Sequence, residues 1–155
     1  MSELFTFKGI VAGTIATGVL STVMLLQSAA GVLPQLSLIQ LLLDVLAAPR
    51  EHVFGWLAHC LLGSAMWGGL FAYLEPRLGA DSQVKGGILF GLLLWLVMML
   101  VVMPAAGAGY FGFQLTLLAP LVMLVLHVVY GAVLGWTYGK LSPAHGAFTS
   151  HHHPA

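Results

Sequence analysis

The fold turns on Leu121–Lys140, LVMLVLHVVYGAVLGWTYGK. A helix of roughly 20 apolar residues crosses a bilayer. This run has that length, and its one histidine or charged residue before Lys140 is His127. Gly131, Gly135 and Gly139 follow His127 at four-residue spacing, so all four share one helix face. The arrangement recurs upstream in Leu57–Leu74, LAHCLLGSAMWGGLFAYL, where His59 is followed by Gly63 and then Trp67, again four apart. Two intramembrane histidines, each with a glycine one turn on, are the chemistry this sequence offers.

Composition sets the solvent. Hydrophobic residues make up 59% of the 155 residues and charged residues 6%, and the mean hydropathy is +0.98. A soluble domain carries roughly 25% charged residues, so this chain cannot keep a water-facing surface and its solvent is lipid. A net charge of +0 leaves no basic face for nucleic acid. The single cysteine, Cys60, excludes an internal disulfide or a paired-cysteine site and reads as a small packing residue. The first apolar run is too long for a leader peptide and is expected to act as both insertion signal and first span.

The hydropathy pattern predicts one all-helical integral membrane domain over residues 1–141, with four spans at about residues 8–30, 52–74, 85–103 and 117–140. A short polar start precedes the first span. Pro104 is expected to end the third, and Pro120 sits in the first turns of the fourth, where proline is tolerated. Residues 142–155, with His151–His153, read as a small disordered tail that could bind a divalent metal adventitiously. Between the first two spans, Ser37, Gln40 and Asp44 make one polar stripe on a segment too short to cross. It is expected to be an amphipathic interfacial helix over about residues 35–48, bounded by Pro34 and Pro49. Glu51, His52 and Asp44 read as interfacial groups.

Small residues mark the helix contacts. Gly9, Gly13, Thr17 and Ser21 fall four apart, Gly87 and Gly91 line up with Trp95, and Gly131, Gly135 and Gly139 repeat the spacing. In lipid, such seams let backbones approach closely. They fit contacts within the bundle or in a homodimer. The first and third spans both open with Lys-Gly, at Lys8 and Lys85, and the second and fourth share the His-x-x-x-Gly pattern. The chain therefore reads as two parallel helical-hairpin repeats, which would bring His59 and His127 to equivalent depths. Lys8, Arg77, Lys85 and Lys140 fall on the side of both termini and Arg50 opposite. The positive-inside rule then puts both termini in the cytoplasm.

Four stretches, LPQLSLIQLL, EPRLG, VVMPAAGAGYFG and HVVYGAVLG, resemble a family of small bacterial inner-membrane proteins of unassigned function. The resemblance covers about residues 7–141, most specifically Val101–Gly112 and His127–Gly135. It implies a four-pass inner-membrane protein and carries no activity to any residue. The histidine tail is outside the pattern.

An ionisable residue inside a membrane is a functional-site hypothesis, and histidine can be buried neutral. Three readings stand for His59 and His127: a hydrogen bond across the bundle, axial ligation of a haem b with Gly63 and Gly131 leaving room for the porphyrin face, or a proton or solute path lined also by Thr17, Ser21 and Gln27. Haem ligation demands both imidazoles at one depth. No metalloprotease, nucleophile-elbow or phosphate-loop signature occurs, and no acidic residue lies mid-membrane. The expectation is a non-enzymatic membrane protein that supports a larger complex or forms a small solute path, with the haem-b electron carrier as its rival. The methionines Met24, Met98, Met99, Met103 and Met123 read as core packing.

Overall fold

A computed structural model describes residues 2–31, 37–47 and 52–142. The expectations for Pro34, Gln35, Ala48, Pro49, Arg50 and Glu51, and for the tail from residue 143 on, lie outside the described residues. Four helices are long and apolar enough to cross a membrane. They are α1 (Ser2–Ala29), α3 (His52–Arg77), α4 (Gln83–Ala105) and α5 (Ala119–Leu141). A short helix, α2 (Leu38–Val45), lies between the first two spans. The chain is an all-helical membrane protein, and its outward faces carry the apolar side chains that lipid requires, such as Leu26, Leu61 and Val101.

Several helix boundaries differ from the hydropathy reading. Helix α1 begins at Ser2, so the short polar start is helical. Helix α4 begins at Gln83, because the Ser82 side chain caps it by accepting from the Lys85 N–H at 3.3 Å, and it runs through Pro104 to Ala105. A proline ring crowds the carbonyl four residues back, here that of Leu100. The helix widens into a π-helical turn over Met98–Val102, with the Met103 N–H donating to the Met98 carbonyl, five residues back. That wider turn is a known way to relieve such crowding. Helix α5 starts at Ala119 rather than 117.

Each hairpin is closed by glycine. A Cβ on Gly9 or Gly13 of α1 would strike the backbone of α3 at Gly68 or at Gly63 and Ser64. A Cβ on Gly87 or Gly91 of α4 would strike the backbone of α5 at Gly131 or His127. Gly135 meets the Gln83 carbonyl, and Gly139 meets only the Gln83 side chain. Without a hydrophobic drive between helices in lipid, this backbone approach is the main source of packing. Both seams are occupied within the chain. The two hairpins meet in two cores. At the end carrying the described termini, Phe71, Phe90, Tyr130, Leu134 and Tyr138 cluster, with Phe71 5.4 Å from both Phe90 and Tyr138 ring to ring. At the far end, Met98, Met99, Met103 and Met123 pack with Leu41 of α2.

Helix α2 is held at this far end. Ser37 caps it, Gln40 donates to Asp44 at 3.1 Å, and Ile39 and Leu43 occupy the space left bare at Gly55 of α3. The connection from α4 to α5 also folds back onto the bundle. Phe111 packs on Trp95 with ring centroids 6.0 Å apart, and the Trp95 indole N–H donates to the Pro120 carbonyl at 3.0 Å. Gly112, at φ +69°, lies where a Cβ would come within 3.0 Å of the Ala119 Cβ and 3.2 Å of the Met103 sulfur, so both the turn and the close approach require glycine.

Candidate functional site

Helices α1, α3, α4 and α5 line a partly open cavity of about 130 Å³ between the two cores, with Leu38 and Leu42 of α2 also in its wall. Its wall is mostly apolar. The polar residues reaching it are Thr17, His59, His127 and Tyr130, with Trp67 beside them.

Two π-helical turns border the cavity. One is the Met98–Val102 turn of α4, and the other spans Leu62–Trp67 of α3. A π turn disturbs the ordinary carbonyl ladder and is frequent at functional sites. Here two side chains take up carbonyls at the α3 turn. The Tyr130 hydroxyl donates to the Gly63 carbonyl at 2.5 Å, and the Ser64 hydroxyl donates to the Cys60 carbonyl. The Tyr130 bond joins α5 to α3, so it links one hairpin to the other.

The two histidines are held differently. His59 is 5% exposed. Its Nε2 lies 3.1 Å from the Ser21 hydroxyl of α1, and its ring meets Trp56 edge to face at 5.7 Å. His127 turns its Nδ1 to the Met123 carbonyl of its own helix at 2.7 Å. A carbonyl only accepts, so Nδ1 carries the proton, and in the neutral ring Nε2 keeps its lone pair. Thr17 packs its side chain into the space left bare at Gly63. Its hydroxyl is buried and meets no hydrogen-bond partner of good geometry among the described residues.

The two histidines stand differently against their own seams. The α1 seam residue Gly13 faces Gly63 and Ser64, four and five residues past His59, whereas the α4 seam residue Gly91 faces His127 itself. Relative to its own seam, His59 lies about one turn further toward the far end, roughly 5.4 Å.

These residues do not fit a haem. Gly63 and Gly131 were expected to clear a porphyrin face, but Thr17 fills the first space and the Gly87 backbone the second. A cavity of about 150 Å³ holds a single benzene ring, and a porphyrin is several times larger. Among the described residues, no group of three or more His, Cys, Asp or Glu side chains could hold a metal ion.

Sequence reasoning pointed to both histidines and to Trp67, four residues past Gly63, but passed over Tyr130. Tyr130 stands three residues after His127, on the same face, and that spacing was the available signal. The π turn that gives its hydroxyl an acceptor has no signature in the sequence. Of the expected path residues Thr17 lines the cavity, and Ser21 and Gln27 do not.

Fold and cavity define a four-pass helical membrane protein with a small, mostly apolar chamber inside the bundle. The chain belongs to a family of unknown function, DUF6789, whose model matches residues 5–147. No curated protein and no solved structure matches it.

Proposed function

We propose that this is a non-enzymatic, multi-pass protein of a bacterial inner membrane that holds a small solute inside its helix bundle, as the binding stage of a solute path. The observation that carries the reading is the cavity of about 130 Å³ with both intramembrane histidines in its wall. Ligand sites are concave, mostly apolar and fitted with a few polar groups that fix orientation, and this chamber has that make-up. A complex-supporting scaffold needs no such space. Both termini are cytoplasmic in this reading, on the strength of Lys8, Arg77, Lys85 and Lys140.

Toluene matches the chamber in size. Added to the detergent-solubilised protein, it is expected to raise the unfolding temperature, and a bulky side chain in the cavity wall, Leu126→Trp, is expected to abolish the rise. A wild-type protein indifferent to toluene overturns the reading. For the orientation, a cysteine placed in the tail of a Cys60→Ser background is expected to resist membrane-impermeant maleimide in intact spheroplasts. Labelling there reverses the topology.

A further inference from the structure

Resting on the proposed solute-binding reading, we infer that the ligand of this cavity is a neutral, lipid-soluble phenol, hydroquinones included, whose hydroxyl donates to Nε2 of His127. Three observations lead to this class.

The first is size. A chamber of about 130 Å³ is close to the cavity of about 150 Å³ that takes up benzene, so one six-membered ring is the body of the ligand. The second is the route of entry. The cavity is partly open, and Val97 of α4, which lines it, is 43% exposed. At the end of the described termini, Phe71 and Phe90 close the gap between α3 and α4. A molecule dissolved in the bilayer therefore has the short way in.

The third is the hydrogen-bonding character of the wall. The Met123 carbonyl fixes the proton of His127 on Nδ1, which leaves Nε2 as an acceptor. Backbone carbonyls orient histidine rings at ligand sites by this same bond. Tyr130 has committed its hydroxyl proton to the Gly63 carbonyl, so its oxygen also presents only lone pairs. The Thr17 hydroxyl is packed against Gly63, and His59 is engaged with Ser21. Nε2 of His127 and the Tyr130 oxygen accept, so a ligand that donates meets them, and a phenol oxygen can in turn accept from the Thr17 hydroxyl or the Trp67 indole N–H of the same wall. A phenol donates, whereas an ether or a quinone only accepts. Burial of an acceptor opposite a group that cannot donate is penalised, and this separates compounds of equal size and lipid solubility.

The test is calorimetric titration of the full chain in lipid nanodiscs, with empty nanodiscs as the blank, using 4-methylphenol, 4-methylanisole and toluene. The expected result is a Kd for the phenol about tenfold below those of the other two, with anisole and toluene alike. His127→Phe is expected to bring all three within about twofold while still binding toluene. Should that variant not fold, ¹⁵N spectra of the wild-type histidines give the same readout. The phenol is expected to move the unprotonated His127 Nε2 resonance toward the protonated position, and the anisole to leave it unmoved. Anisole binding as tightly as the phenol, or a phenol preference that survives His127→Phe, overturns the assignment to Nε2. Equal binding of all three overturns the ligand class and leaves the cavity reading standing. Binding of none of them removes both.

Discussion

The two hairpins are built from one recipe and end up doing different things. In α4–α5 the seam glycines Gly87 and Gly91 face Gly131 and His127. The histidine backbone is part of the seam, and its ring is turned back onto its own helix at Met123. In α1–α3 the seam glycines face Gly63, Ser64 and Gly68. The histidine lies a turn beyond the seam and reaches across to Ser21. One imidazole is therefore oriented by its own backbone, with a nitrogen to spare, and the other acts as an inter-helix tie. A sequence repeat sets which residues recur. The register of each helix pair sets what they do.

The largest effect expected on this comparison comes from the seams. Gly87→Leu places a side chain against the Gly131 backbone and Gly13→Leu against Gly63 and Ser64, where neither helix can yield. Each is expected to cost about 3 kcal/mol or more, the upper end of overpacking penalties, read as the shift of the unfolding midpoint in a dodecyl sulfate titration. Gly18 has nothing within 4 Å of its missing Cβ and serves as the control, with Gly18→Leu expected to leave the midpoint in place. Equal losses at Gly13, Gly87 and Gly18 break the claim that the seams close the hairpins.

An intermediate effect is expected where the hairpins join. Tyr130→Phe removes the one hydroxyl that reaches from α5 to the Gly63 carbonyl, and leaves that carbonyl short of a donor at the π turn. A loss of about 1–2 kcal/mol is expected in the same titration, with faster hydrogen exchange at the amides of Leu62–Trp67 than elsewhere in α3. Uniform exchange along α3 contradicts the linking role.

The smallest effect separates the two histidines. Ser21→Ala takes away the partner of His59 and is expected to cost about 0.6 kcal/mol, the usual worth of a hydrogen bond between membrane helices. Its ¹⁵N signature is expected at His59 alone. A matching change at His127 shows that the two rings are coupled and that the hairpins are less distinct than their registers indicate.

Much of this was written in the chain. The low charge and the long apolar runs admit only lipid as solvent, since no other environment tolerates such a surface. The four-residue spacing of Gly9 with Gly13, Gly87 with Gly91, and Gly131 with Gly135 marks helix faces, because every fourth residue of a helix lies on one side. The polar stripe Ser37–Gln40–Asp44 marked α2, although the ends of the expected span, residues 35, 36 and 48, fall outside the described residues. Both histidines stood out because ionisable groups are rare in such runs.

Three things were decided by tertiary structure alone. The seams belong within the chain, because spacing defines a small face but not the helix that meets it. Helix α4 passes through Pro104, because the π turn at Met98–Val102 answers a steric conflict that local sequence rules resolve by ending the helix. The histidines share a cavity but stand differently against their own seams. Depth relative to a seam depends on which carbonyl each glycine approaches, and that is fixed only when two helices are in contact. Sequence determined the solvent, the spans and the residues with chemistry to offer, because those follow from composition and period. Contact between helices set His59 against Ser21 and brought both imidazoles to one cavity, because a side chain meets a partner on another helix only when the two are packed.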